Sequence, residues 1–165
     1  MIEHPVLEHI PRLRRYARAL AGDRYAADDL VQDTLERAVN KFHLWRPGSD
    51  LRAWLFAVMH NVFINQLRSR RHEMEQSMSE LPTVAVRASQ SDPLELQDMA
   101  NALRGLSAEH REVLLLVALE QLTYEQVAVA LDIPIGTVMS RLSRARERLR
   151  QLLSGNAPVS LKVVK

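Results

Sequence analysis

The sequence predicts an all-α protein: two small helical domains joined by a flexible linker, the C-terminal one a helix-turn-helix. Three observations predict this. Glycine is scarce, at 5 of 165 residues, while Leu, Ala, Arg and Glu, which lose little on entering a helix, are plentiful. Apolar residues recur every three or four positions in two blocks, about 6–71 and 94–153. Between the blocks, residues 73–95 hold Ser77, Ser79, Pro82, Ser89, Ser91 and Pro93 with no sustained period. A loop that long is unusual inside a compact domain, so the segment reads as a linker. Fully extended it would span roughly 75 Å, about two turns of a DNA duplex.

In the first block, Leu7, Ile10, Leu13, Ala17 and Leu20 predict a helix over 6–21, stopped by Gly22. A second helix starts near Arg24 and runs to about Phe42, with Ala27, Leu30, Val31, Thr34, Leu35, Ala38 and Val39 inward. Pro47-Gly48 mark a loop. Ser49 or Asp50 can cap a third helix, which places Leu51, Trp54, Leu55, Val58 and Val62 on one side and continues to about Arg71. In the second block helices are expected at 94–105, 108–120, 124–131 and 135–153. Ser107 caps the second of these, and Thr123 with Gln126 has the capping-box spacing of the third. The domains expected are therefore 1–72 and 96–154, with a loosely held tail at 155–165.

Composition excludes several functions. There is no cysteine, so disulfides, thiolate zinc sites and cysteine nucleophiles are ruled out. Met1-Ile2-Glu3-His4-Pro5 does not look like a signal peptide. The longest apolar run, Val113 to Leu119, is far short of a membrane span, so a cytoplasmic protein is expected. The six histidines (4, 9, 43, 60, 72, 110) are scattered, with no nucleophile–base or metal spacing. No catalytic residue, metal, cofactor or small-molecule substrate is therefore expected. The net charge is only +2, but its distribution is uneven. Residues 1–72 carry 12 Lys/Arg against 8 Asp/Glu, 73–97 carry 1 against 5, and 98–165 carry 9 against 7. A polyanion would meet the two ends of the chain and not its middle.

The most informative segment runs from Leu122 to Leu149 and reads as helix, tight turn, helix. Tyr124, Val127, Ala128 and Leu131 line one face of the first helix, and Asp132-Ile133-Pro134 turns the chain. In the second helix Val138, Leu142, Ala145 and Leu149 form an apolar stripe. The remaining surface offers Thr137, Met139, Ser140, Arg141, Ser143, Arg144, Arg146, Arg148 and Arg150, and 135–150 holds five Arg and one Glu. Such a helix suits the DNA major groove: the stripe docks it, small residues near its start allow close approach, and arginines read guanine edges or meet phosphates. The bland alternative, a solvated basic face on an ordinary packed helix, is disfavoured by the helix-turn-helix spacing.

The first block carries two further motifs. Asp28, Asp29, Gln32, Asp33 and Glu36 crowd the outer side of the second helix. They fit a docking surface for a basic or polar helical partner, a carboxylate metal site, or plain solvation aided by the helix dipole. The metal reading is the weakest, because no histidine sits at ligand spacing. Then Phe42 to Phe56 interleaves aromatic with basic residues, a pattern suited to stacking on unpaired bases. Trp54 and Phe56 read as core, whereas Phe42, Trp45 and Arg46 are better placed to face a ligand. Asn61, Asn65 and Arg68 lie on one polar face that ends in Arg70 and Arg71.

Together these segments resemble the extracytoplasmic-function (ECF) sigma factors of the bacterial sigma-70 family. In the first block the resemblance is carried by 13–23, by Ala27-Asp-Asp-Leu-Val-Gln-Asp-Thr-Leu-Glu-Arg-Ala38 and by Leu51-Arg-Ala-Trp-Leu-Phe-Ala-Val-Met-His-Asn61. In the second it is carried by 106–116 and the helix-turn-helix. The resemblance implies that 1–72 is sigma region 2 and 96–154 is sigma region 4. It implies that Asp29, Gln32, Asp33 and Glu36 bind the clamp helices of the largest subunit of RNA polymerase core, and that the flap of the second-largest subunit is a further contact. The Phe42–Ser49 loop, with Trp45 and Arg46, would capture a flipped base of the promoter −10 element, with Asn61, Asn65 and Arg68 alongside. Thr137, Met139, Ser140, Arg141, Arg144 and Arg148 would read the −35 element. Met139 departs from the pattern, since the family often has Lys or Arg there. An anti-sigma partner is implied by resemblance alone. The alternative is a helix-turn-helix regulator of the response-regulator output type. Against it, residues 1–72 show no βαβ pattern and no Gly-rich phosphate loop.

Overall fold

A computed structural model describes residues 4–76 and 94–155. The chain divides into two compact units, the first built on the N-terminal segment and the second on the bulk of the C-terminal segment. Every regular element among the described residues is helical. The body of the expected linker, 77–93, and the tail beyond 155 lie outside the described residues.

In the first unit, α1 (Ile10–Ala21), α2 (Arg24–Asn40) and α3 (Leu51–Gln76) pack in sequence, α1 on α2 and α2 on α3. The expected single helix over 6–21 is two pieces: a 3-10 turn at Pro5–His9, then α1. The reason is Pro11. It has no N–H to donate, and its ring would clash with a preceding carbonyl in a continuous helix, so it is tolerated only in the first turn. Gly22 ends α1 in the left-handed region (φ 74°), and its N–H bonds the Arg18 carbonyl. Asp23 then opens α2, its carboxylate accepting from the Tyr25 and Ala26 N–H groups at 3.4 and 3.3 Å. Helix α2 stops at Asn40, short of the expected Phe42, and a 3-10 turn covers Phe42–Leu44. Gly48, at φ 93°, turns the loop, and Asp50 caps α3 by accepting from Arg52 N at 3.0 Å. Helix α3 runs five residues past Arg71. His72 to Gln76 carry no apolar stripe, yet contain no glycine or proline to stop a helix.

The core of this unit is Leu13, Tyr16, Ala17 and Leu20 from α1, Ala27, Leu30, Val31 and Ala38 from α2, and Leu55, Phe56, Val58, Met59, Val62 and Phe63 from α3. The Tyr16 and Phe56 rings meet edge-on at 5.0 Å. The buried face of α3 is thus wider than the single stripe expected, taking in Met59 and Phe63, while Leu51 and Trp54 are only half-buried.

The second unit holds α4 (Leu94–Arg104), α5 (Ala108–Ala118), the first part of α6 (Tyr124–Leu131) and α7 (Ile135–Ser154), with α7 packed on α4 and α5. At Gly105 a side chain would come within 2.8 Å of Leu152, so glycine here permits the close approach of α7 to the end of α4. Ser107 caps α5. The Arg111 guanidinium, from α5, donates to the carbonyl of Leu103, at the open end of α4, and to that of Leu106 in the turn that follows, both at 2.8 Å. Burial pushes its pKa down, though an arginine stays charged. Helix α5 ends at Ala118, two residues early, and Gln121 takes a positive φ of 58°.

Thr123 and Gln126 form the expected capping box: Gln126 N donates to Thr123 Oγ1 at 3.1 Å and Thr123 N to Gln126 Oε1 at 2.8 Å. Asp132, left-handed at φ 55°, ends α6. Ile133 N donates to the Ala128 carbonyl at 3.0 Å and Asp132 N to that of Val129 at 3.3 Å, the paired bonds of a Schellman motif. Pro134 then delivers the chain into α7.

Candidate nucleic-acid and partner interfaces

Helix α7 is amphipathic in the sense its sequence predicts. Val138, Leu142 and Ala145 are buried, which fixes the helix by one side. Ile135, Gly136, Met139, Ser140, Ser143, Arg144, Arg146, Arg148 and Arg150 are exposed, and Thr137 is half-buried. The exposed side divides into two flanks. Thr137, Arg141, Arg144 and Arg148 lie on one; Met139, Ser143, Arg146 and Arg150 lie on the other. The second flank borders an open groove of about 480 Å³ that Tyr124 of α6 also lines. Arg141 differs from its neighbours. Its side chain is 27% exposed and its guanidinium sits 3.7 Å from the Glu109 carboxylate of α5.

On the first unit, Asp29, Gln32, Asp33 and Glu36 are all exposed on α2. Asp29 and Asp33 are brought together by a residue absent from the predicted set. Gln66 of α3 donates from its Nε2 to Asp29 Oδ2 at 3.1 Å and to Asp33 Oδ2 at 2.8 Å. Beside this contact is an open groove of about 410 Å³ between α2 and α3, lined among others by Asp33, Glu36, Asn40, Asn65 and Gln66. It places Asn65, expected to face DNA, alongside two of the four carboxylate-face residues. Asn61 and Arg68 are exposed elsewhere on α3.

The aromatic loop is more ordered than its composition implies. Phe42 stacks on Trp45 at 5.3 Å and meets Trp54 edge-on at 6.3 Å and His4 at 4.5 Å. His4 also caps the N-terminal 3-10 turn, accepting from Val6 N at 3.3 Å. Phe42 is therefore the centre of a four-ring cluster, half-buried, with Trp45 stacked on it and Arg46 exposed beside it. The Trp45 indole N–H is buried without an acceptor among the described residues. No sequence periodicity could have found His4, which lies ahead of the first helix and reaches a loop 38 residues away.

Comparison with known proteins places both units. Residues 6–60 match the family model for the Sigma2 domain of PhyR, and residues 96–149 that for Sigma-70 region 4. The chain is 39% identical over 149 residues to the ECF RNA polymerase sigma factor EcfG of Rhodopseudomonas palustris, covering 90% of this chain and 82% of that one. It superposes on the sigma factor RpoE of Bartonella quintana, solved with the anti-sigma factor NepR, at a TM-score of 0.80 and 41% identity. That match covers 90% of this chain and 94% of RpoE. It also matches CnrH, solved with the cytosolic domain of CnrY, at a TM-score of 0.66 and 26% identity, covering 92% and 86% of the two chains.

The two units and their order define a sigma factor of the sigma-70 type. Within that class, the chain belongs to the ECF RNA polymerase sigma factors. The response-regulator reading is not favoured, because the first unit matches a sigma domain and not a receiver. No helix among the described residues is long and apolar enough to cross a membrane.

Proposed function

We propose that this protein docks on RNA polymerase core through Asp29, Gln32, Asp33 and Glu36, and recruits it to promoters through two DNA contacts. Residues 1–72 act as region 2. The Phe42–Ser49 loop, with Phe42, Trp45 and Arg46, captures an unstacked −10 base, and Asn61, Asn65 and Arg68 hold the adjoining strand. Residues 96–154 act as region 4. Thr137, Arg141, Arg144 and Arg148 from one flank of α7, Ser140 between the flanks and Met139 from the other read the −35 major groove. The observation that carries this reading is the construction of α7: three buried apolar residues dock one side, and the first three turns of the other present small side chains and Arg144.

The chemistry is binding alone. Unstacking a base costs roughly a few kcal/mol, and stacking on an aromatic side chain returns about 1–3 kcal/mol. Captured bases thus shift a strand-separation equilibrium with no covalent step, and the protein itself catalyses nothing. The Phe42–Trp45 stack supports this role, because it presents a preformed aromatic platform at the loop. It acts in the cytoplasm, where polymerase and promoters are. The RpoE and CnrH structures each hold an anti-sigma or cytosolic partner, which supports a protein inhibitor of this chain as well.

The test is assembly with core polymerase. Wild-type protein should form a stable holoenzyme, and Asp33→Lys should impair assembly while far-UV circular dichroism stays unchanged. Normal assembly by Asp33→Lys would remove the carboxylate face from the docking surface.

A further inference from the structure

The Gln66 contact is small in area but unusual in its chemistry. Asp29 and Asp33 are one helical turn apart on α2, a like-charged pair that an isolated helix disfavours by about 0.2–0.5 kcal/mol. A lysine or arginine reaching across from α3 would relieve the repulsion and neutralise the face. Gln66 relieves it differently. An amide nitrogen has two hydrogens, and each carboxylate receives one, at 3.1 and 2.8 Å. The carboxylates are held in a fixed relation while the net charge of the pair remains −2. Each keeps free lone pairs for a further donor. Gln66 is itself half-buried, and the contact it makes with the two carboxylates is open to solvent.

We propose that Gln66 is a positioning residue for polymerase docking, its amide holding the Asp29 and Asp33 carboxylates in one geometry while leaving both charges to a cationic partner. This rests on the reading of α2 as the docking face. The same side chain joins that face to the helix carrying Asn61 and Asn65, since Gln66 follows Asn65 directly and both line the α2–α3 groove. Docking on one side of the groove and DNA contact on the other therefore share a wall.

Core affinity of the full-length protein, measured by titrating labelled chain with core polymerase, tests the proposal. Gln66→Leu, which keeps the bulk and removes the donors, should weaken core binding about three- to tenfold, the range for losing a modest hydrogen bond. In an Asp29→Asn, Asp33→Asn background the same substitution should have no further effect, because the charges that Gln66 positions for the partner are gone. Gln66→Lys should raise the melting midpoint yet lower core affinity, a divergence that a purely structural role would not produce. Wild-type affinity in Gln66→Leu, or an undiminished loss in the Asn background, would overturn the assignment. Wild-type affinity in the Asp29→Asn, Asp33→Asn protein would overturn the docking face itself, and Gln66's role with it.

Discussion

Arg141 of α7 and Glu109 of α5 meet at 3.7 Å, so one cation of the proposed recognition helix already has a carboxylate beside it. Glu109 is well exposed, and exposed pairs contribute less than about 1 kcal/mol to stability. The pair matters more for binding, because a phosphate must compete with Glu109 for Arg141. Glu109→Gln should leave the unfolding midpoint nearly unchanged and strengthen holoenzyme binding to −35 DNA. It should also steepen the salt dependence by up to about one counterion. An unaltered salt slope would show that Arg141 does not reach DNA.

Among the described residues Arg144 makes no ion pair, and it is exposed on the same flank. If it reads a base edge, Arg144→Ala should reduce discrimination between matched and mismatched −35 elements by about 1–3 kcal/mol. Competition binding with single-base variants measures this. A uniform weakening across all sequences would make Arg144 a phosphate contact instead.

The reciprocal bonds of Thr123 and Gln126 set the entry to α6, and thus the start of the helix-turn-helix. Thr123→Ala should cost about 1 kcal/mol, the usual loss for an N-cap hydroxyl. Urea titration followed by far-UV circular dichroism reads the change. Gln126→Ala should also lower stability, because it removes the acceptor of the exposed Thr123 N–H.

His9 should make the first unit sensitive to acid. Burial first, and then the nearby Arg12 guanidinium, hold its pKa below the ordinary histidine value of 6.5. The folded state thus favours the neutral ring, and the unfolded state binds the proton more readily. His9's contribution is fully present above about pH 6.5 and is lost as pH falls from there through the lower folded value. Urea midpoints at pH 7.5 and 5.5 should differ, and His9→Gln should reduce the difference. An identical pH dependence in the variant would exclude His9 as its source.

What the sequence made legible is local. The caps at Asp50, Ser107 and Thr123–Gln126 use bonds spanning two or three residues, so residue type and spacing suffice to place them. The apolar stripe of α7 is legible for the same reason. Pro11 could have been read as a helix start, but the apolar period runs unbroken through it from Leu7 to Leu13 and hides the break. The contacts that shape the interfaces are another matter. Gln66 finds Asp29 and Asp33 across 37 and 33 residues, Arg141 finds Glu109 across 32, and His4 finds Phe42 across 38. None follows from periodicity, because each depends on which helix faces which. Family resemblance supplied the roles of the exposed residues, while only packing reveals the side chains that hold them.

Promoter-dependent initiation tests the central claim most directly. Purified full-length protein, added to core polymerase with a promoter library, should support initiation from templates that carry both a −35 and a −10 element. Damage to either element should reduce the yield. DNA binding by the protein with no initiation competence conferred on core would contradict the account.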